Sequence, residues 1–472
     1  MTINMPVQTE AAEILSRFVA ETTYDDLPEN ARESAKRCLL DTLGVTAAAG
    51  TQGIGHKALN DMIQRAGGAP EASVVGFGGR VPVWLAALAN GAMARAVDFD
   101  DSHDESMTHP SSVVVSAALA IAERKGGVGG RELITAIALG NEVLCRMGLA
   151  IARRPGGLKL DTWFPSSVFG AFGGTAACCS VLGFDAATVR SAFGIVLFEA
   201  SGTLEAFSAT GQSSAMRGMV TGLTAKSCTL AATMAEAGIT GVPDSIDGEF
   251  GLYRVYYGGS YSREALLGAL GEYYVSSEIG MKPWPTCRYT HSYIDATLQL
   301  VQEHDVRPET IEAARIYVAG YAESRCVPLE RQRTPHNFNH AGHALPYLVA
   351  AAATRRRIAI DDLIHGLDDL DVLELANRVT PVHDPRFSIE NKVGLALIEM
   401  ELKGGGTRRK QLDIVYGGLG NPMSWDDLVA KFRSCVAYSA KPPTTQAVDR
   451  LVDSIANIEA VDDVGELVRA LA

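Results

Sequence analysis

The sequence predicts a mainly α protein: a large multi-helical domain interrupted by a smaller inserted α+β module. Apolar residues recur at helical spacing, with Ala and Leu dominant, almost without pause as far as Ala237. β-type alternation then enters between helical stretches, and helical patterning returns in the tail. At 472 residues the chain is also too long for one ordinary core, which points to two domains.

One helix opens at Leu27-Pro28-Glu29, with Asp25 or Asp26 as its candidate cap, and carries Ala31, Ala35, Leu39 and Leu43 towards Ala48. Pro82 suits the opening turn of the next, over 83–97. Further helices are expected over 113–123, 131–150, 168–182, 186–200 and 215–237, the last closed by Gly238, Gly241 and Pro243. Residues 273–279 and 313–319 read as strands, and 293–303, 344–354 and 370–376 as helices. The stretch 393–402 alternates like a half-buried strand, ends at Gly404-Gly405-Gly406, and is expected to hairpin into 409–415. Ser424 before Trp425-Asp426-Asp427 is a capping signal, and 447–455 is amphipathic. The expected domains are therefore 1–267 plus 406–472 for the helical body and 268–405 for the α+β module.

Apolar residues make up 47% of the chain and charged residues 21%, as in ordinary soluble globular proteins. A net charge of -13, with no basic run longer than Arg355-Arg356-Arg357, argues against nucleic acid as a partner. No basic-then-apolar leader and no apolar run of bilayer-spanning length is read, so no membrane partner and a cytoplasmic location are expected. The eight cysteines include no CxxC pair, a spacing that argues against structural zinc or an iron–sulfur cluster.

The stretch with most chemistry runs from Asp98 to Ser112. Five carboxylates (Asp98, Asp100, Asp101, Asp104, Glu105) and two imidazoles (His103, His109) precede an apolar helical segment. Ser111 or Ser112 is the expected cap of that helix, which leaves His109 beside its positive end. Proton-transfer groups at an anion-attracting helix terminus suit an enzyme acting on a carboxylate substrate. A solvated acidic loop gives the same pattern.

Other stretches join this one: Asn90-Gly91, His109-Pro110-Ser111, Gly130-Arg131-Glu132-Leu133-Ile134, then Lys282-Pro283-Trp284-Pro285-Thr286-Cys287-Arg288-Tyr289-Thr290-His291, Ile294-Asp295-Ala296 and Asn421-Pro422-Met423-Ser424. Taken in this order the chain resembles the MmgE/PrpD family over nearly its whole length. The resemblance implies a helical domain with a lid domain, usually a homodimer, and no organic cofactor. The family includes 2-methylcitrate dehydratases, cis-aconitate decarboxylases and an iminodisuccinate epimerase. Asp98 and His109 match the family's site aspartate and histidine, and Lys282 the lysine that opens the lid motif. Ser102 stands where many members have Thr, though the interval to His109 is one residue longer than in the decarboxylases. Tyr317 or Tyr321 matches a tyrosine near the end of a lid strand in the decarboxylases. Two departures stand out. Arg217 and Val220 replace a common Lys-x-x-His pair, and Cys287 stands where the decarboxylases carry a histidine.

Asp98, Ser102, His109 and Lys282 are thus the expected catalytic set, and Arg217, Arg288, His291 and Tyr317 the expected substrate binders. His109 can act as acid or base near neutrality, and Asp98 can orient it or take a proton itself once desolvated. Guanidinium grips carboxylate with two parallel hydrogen bonds, so Arg217 favours binding over proton transfer. His291 reads equally as a core histidine bonded to backbone. His336, His340 and His343 would share a helical face, but Pro335 precedes them and no carboxylate completes a ligand set, so no metal is expected. The leading expectation is a cofactor-independent carbon–oxygen lyase, a dehydratase, on a small citrate-like carboxylate. A dicarboxylate epimerase or a cis-aconitate-type decarboxylase is the alternative, and a non-catalytic binding protein the third reading.

Overall fold

The computed structural model describes residues 10–157, 162–208, 214–388 and 393–472. The chain divides into two compact units. Unit 1 takes in the chain up to Ala96, Asp100–Ile279 and Trp425–Ala472, and unit 2 takes in Val97–Phe99 and Gly280–Ser424.

Among the described residues unit 1 is helical, with a two-stranded pair, β1 (Ala72–Ser73) and β2 (Arg80–Val81), beside the helices. The expected helices form at Glu29–Gln52, Val83–Ala96, Ser111–Lys125, Gly130–Ala152, Pro165–Leu182, Ala186–Val196 and Met216–Glu236. Gly130–Ala152 and Pro165–Leu182 are, contrary to the sequence expectation, long and apolar enough to cross a bilayer. Their most apolar stretches are 100% and 89% buried inside the protein, where they pack as core helices.

A glycine crossing fixes the part of unit 1 that matters most. Helices Val83–Ala96 and Met216–Glu236 approach so closely that a Cβ on Gly222 would lie 2.2 Å from the Leu88 carbonyl oxygen. Thr221 Oγ1 donates to the Gly91 carbonyl at 2.8 Å across the same crossing. Gly222→Ala is therefore expected to destabilise unit 1 by about 1–3 kcal/mol, as overpacking does, with a lower denaturant midpoint as the readout.

Unit 2 is built on a four-stranded sheet in the order β4-β3-β5-β6, with β3 Ile311–Ala319, β4 Val379–Ser388, β5 Ala396–Leu402 and β6 Thr407–Leu412. β3 runs parallel to β4 and antiparallel to β5. Helices His291–Glu303 and Leu345–Arg355 contribute Tyr293, Leu300, Tyr347 and Leu348 to a core completed by Ile316, Val318, Ile398 and Met400 of the sheet. The β5–β6 hairpin turns at Gly404, Gly405 and Gly406, whose φ of 90°, 98° and 99° suits only glycine.

Several sequence expectations change here. Residues 273–279 form no strand: Val275–Glu278 is a short 3-10 turn. Glu142 accepts the Val275 and Ser276 amides, and Arg146 donates to the Tyr273 carbonyl, so buried side chains of helix Gly130–Ala152 hold this backbone. The same contacts carry residues 268–279 with unit 1 rather than with the α+β module. Residues 406–424 go with unit 2, because β6 pairs with β5 and the Tyr416 amide donates to Asp295. The helix opening at Leu27-Pro28-Glu29 starts at Glu29 as expected, but its cap position is Pro28, and the Asp26 carboxylate instead accepts from the Thr23 amide.

Candidate active site

Unit 1 presents His109 at the end of a short hairpin. His103 and Thr108 exchange backbone hydrogen bonds of 2.9 and 3.3 Å, which folds 103–108 back on itself. His103 is spent inside that turn, where its Nδ1 accepts from the Ser106 amide at 3.2 Å. Ser102 Oγ donates to Asp104 Oδ1 at 3.1 Å, so this expected catalytic hydroxyl braces the loop.

His109 is held from both sides. Its amide donates to Ser166 Oγ at 2.8 Å, and its Nδ1 lies 2.7 Å from the Asp101 carbonyl. A carbonyl only accepts, so Nδ1 carries the hydrogen and Nε2 of the neutral ring keeps its lone pair. That is the tautomer a general base needs. Asp100 Oδ2 lies 3.8 Å from Nδ1, and Asp100 Oδ1 accepts from Arg95 Nη1 at 2.6 Å with both side chains buried. The helix Ser111–Lys125 is not capped by Ser111 or Ser112. Asp101 Oδ1 accepts from the Ser111 amide at 3.3 Å, a carboxylate at the positive helix end doing what a serine was expected to do. Burial first, then the neighbouring Asp100 and Asp41 charges, push the Asp101 carboxyl up to about 7, against the opposing hydrogen bonds from Ser111.

Sequence reading missed Arg95. It sits in the last turn of its helix, one turn beyond the Gly91–Gly222 crossing, while Arg217 opens the partner helix. The guanidinium of Arg217 lies over Phe207 at 5.0 Å, and that of Arg95 faces Phe207 at 6.0 Å and Phe164 at 5.7 Å. Val220 lines a cavity of about 610 Å³ whose wall also holds Glu199, Glu205, Met216 and Lys226.

Unit 2 gathers a second cluster around Asp98. The Lys282 side chain is fully buried, and its Nζ donates to Asp98 Oδ1 at 2.7 Å and to the Asp98 carbonyl at 3.0 Å. Asp98 adopts φ 48°, left-handed backbone that is uncommon for aspartate, and in it carbonyl and carboxylate oxygens both reach one ammonium. His343 Nε2 lies 3.3 Å from Asp98 Oδ2, and its Nδ1 lies 2.9 Å from the Asn339 carbonyl. The Cys287 amide donates to the Gly342 carbonyl at 2.9 Å, which ties the Lys282–Arg288 segment to the His343 segment.

His291 belongs to this neighbourhood and is fully buried. Its Nε2 lies 3.2 Å from the Thr286 carbonyl and its ring meets Trp284 edge-on at 5.3 Å, while its Nδ1 has no hydrogen-bond partner among the described residues. Burial, then the Arg288 and Lys282 cations, hold it well below the ordinary imidazole range, so it stands neutral. Tyr317 is not brought to this cluster. Alternation along β3 sends Ile316 and Val318 to the core and Tyr317 to the other face, where its hydroxyl donates to Glu399 at 2.7 Å beside Phe387. Tyr321 packs on Tyr289 at 4.6 Å, under the Arg325 guanidinium.

The three-histidine face also comes apart. Only Phe338–Ala341 is helical there; His336 and His340 pair through Nδ1 atoms 3.0 Å apart, and His343 turns to Asp98. Among the described residues, no group of three or more His, Cys, Asp or Glu side chains is arranged to hold a metal ion.

Comparison with known proteins gives relatives that span nearly the whole chain. A cis-aconitate decarboxylase-like protein, oryM, of Aspergillus oryzae is 26% identical over 97% of this chain and 96% of its own length. The cis-aconitate decarboxylase of Homo sapiens is 25% identical over 94% and 91%, and that of Aspergillus terreus 23% identical over 96% and 94%. Residues 13–264 match the MmgE/PrpD N-terminal domain and residues 284–457 the MmgE/PrpD C-terminal domain, and on those two matches the chain belongs to the MmgE/PrpD family.

Proposed function

We propose that the chain is a cofactor-independent lyase acting at a carbon next to a carboxylate of a citrate- or aconitate-like polycarboxylate, with dehydration as its reaction. The observation that carries this is the buried Asp98 carboxylate flanked by Lys282 and His343, within a unit that also supplies Arg288. A desolvated cationic cluster lowers the barrier to forming negative charge on a substrate carboxylate by several kcal/mol, about what an oxyanion donor supplies. His109, whose Nδ1 is held by the Asp101 carbonyl, is assigned as the base that removes the α proton. The electron pair of that C–H bond becomes the C=C bond, and the departing hydroxide takes a proton from the acid and leaves as water. Lys282 is the assigned acid, and Arg217 and Arg288 hold carboxylates.

Decarboxylation is the second reading, favoured by the relatives' names. It needs a proton donor and carboxylate binding but no base to start it. Cys287, tied to backbone at the position where the resemblance gives the decarboxylases an imidazole, weighs towards dehydration, whereas Val220 replaces an imidazole common to many members and does not separate the two readings.

Incubation with citrate, 2-methylcitrate, cis-aconitate and iminodisuccinate in deuterated buffer separates the outcomes. A new ultraviolet-absorbing alkene from a hydroxy acid, without gas, supports dehydration, and stoichiometric CO₂ from cis-aconitate supports the second reading. Deuterated substrate of inverted configuration indicates epimerisation instead. No change in any of the four sinks the proposal. With turnover in hand, His109→Ala is expected to lower kcat by about 10²–10⁴-fold with a modest change in KM.

A further inference from the structure

We propose that His343 is a positioning residue that stands as an imidazolium, so that the Asp98 carboxylate is clamped between two cations, His343 and Lys282. The inference rests on the reading of Asp98 as part of the reacting machinery, and it adds to that reading a charge state and a residue absent from the sequence-derived set.

The argument is one of donors and acceptors. A neutral imidazole has one N–H and one lone pair. His343 faces acceptors with both nitrogens: the Asn339 carbonyl is 2.9 Å from Nδ1, and Asp98 Oδ2 is 3.3 Å from Nε2. In a neutral ring with its hydrogen on Nδ1, the Nε2 lone pair lies 3.3 Å from a carboxylate oxygen; with the hydrogen on Nε2, the Nδ1 lone pair lies 2.9 Å from a carbonyl oxygen. Either contact is repulsive and lies in a place with little water, since His343 and Asp98 are both buried. Only the doubly protonated ring satisfies both. Lys282 Nζ occupies Asp98 Oδ1 and the Asp98 carbonyl, so the carboxylate is fixed at both oxygens and its left-handed backbone is over-determined.

The charged groups around His343 are consistent with this. Asp98 comes from segment Val97–Phe99 and Lys282 from the segment after Gly280; Arg288 and His291 lie near Lys282 and Asp98, and His340 shares the segment of His343. His291 is held neutral by its burial and by the Arg288 and Lys282 cations, and its Nδ1 has no hydrogen-bond acceptor among the described residues. The two imidazoles thus divide the work. His343 holds charge, and His291 does not.

Long-range ¹H–¹⁵N spectra of ¹⁵N-histidine-labelled full-length protein distinguish imidazolium from either neutral tautomer, and the His343 signals are assigned by their loss in His343→Gln. The expected result is a doubly protonated ring at pH 7, with a titration midpoint at least one unit above the ordinary ~6.5. In Asp98→Asn that midpoint falls by a unit or more. A neutral ring at pH 7, or a midpoint indifferent to Asp98→Asn, overturns the proposal, and neither result depends on which substrate is turned over. The role in turnover has its own readout. His343→Gln keeps an N–H donor for Asp98 but cannot titrate, so it is expected to stay within about tenfold of wild-type kcat and to have the basic limb of its kcat–pH profile moved to higher pH, where the assigned acid alone sets it. His343→Leu is expected to lose about a hundredfold in kcat with KM nearly unchanged. A basic limb that persists unchanged in His343→Gln refutes the positioning role even if the chain is a lyase.

Discussion

Lys282→Met should destabilise unit 2 by about 3–5 kcal/mol and abolish turnover. The lysine is fully buried and its ammonium meets both the carboxylate and the carbonyl of Asp98, itself only 5% exposed. Methionine fills much of the same volume, so the loss is electrical rather than a cavity. It leaves a buried carboxylate without its ammonium, and removing one member of a buried pair strands the other's desolvation energy. The companion change separates fold from function. Adding Asp98→Asn to Lys282→Met removes the stranded charge, so the double variant is expected to recover a substantial part of the lost stability and none of the activity. Urea unfolding of the four proteins, with kcat measured on each, supplies the cycle. If Lys282→Met unfolds at the wild-type midpoint, the clamp on Asp98 is not the structural element assigned to it.

What the sequence made legible follows from which signals are local. The helices of unit 1 were readable because apolar spacing, Pro openings and Gly stops are short-range properties, and the β5–β6 hairpin because three consecutive glycines leave few other conformations. β4 was not readable. Its segment carries Pro381 and Pro385 among charged residues, tolerable because the strand lies at the sheet edge, where a missing N–H goes unneeded. Residues 273–279 failed for the opposite reason: their aromatic and β-branched residues suit a strand, but Glu142 and Arg146 claim the backbone groups that a ladder would use.

The candidate site divides the same way. Lys282 and Asp98 are 184 residues apart, so no spacing rule joins them, and only family resemblance singled out both. His343 was visible as a residue but misplaced in company, because a helical face for three histidines was assumed where just Phe338–Ala341 is helical. Arg95 looked like any basic residue in a last helical turn until the fold set it on Asp100. For Ser102 and Tyr317 it was the direction of the side chain that the sequence did not show. Each has the right chemistry, but hairpin geometry turns one to Asp104 and strand alternation turns the other to Glu399.

Asp101→Asn is expected to stabilise unit 1 by an amount that grows with pH. Three buried carboxylates, Asp41, Asp100 and Asp101, influence one another there. Arg95 meets Asp100 and Lys431 meets Asp41, each at 2.6 Å. Asp101 is met instead by the Ser111 amide, with the Cys38 thiol close by, and its carboxyl rises from 3.8 to about 7. A raised folded value means that the native state holds its proton longer than the unfolded chain does. Below about pH 4 the carboxyl is protonated in both states and stability is undiminished. Between about 4 and 7 the unfolded chain releases the proton and the native protein keeps it, so stability falls by about 1.4 kcal/mol per pH unit, to a total of roughly 4 kcal/mol. Asparagine matches the shape of the protonated acid and retains an oxygen for the Ser111 amide, without the ionisation. The two proteins should therefore unfold alike near pH 4 and diverge steadily to pH 7, after which the gap levels off. Because His109 Nδ1 bonds to the backbone carbonyl of residue 101, the substitution leaves that contact in place, and kcat should change little at pH 6 while the stability difference is already open. A stability gap independent of pH would mean that Asp101 is ionised in the native protein at neutrality, and that the third carboxylate is balanced by a cation rather than by its own proton.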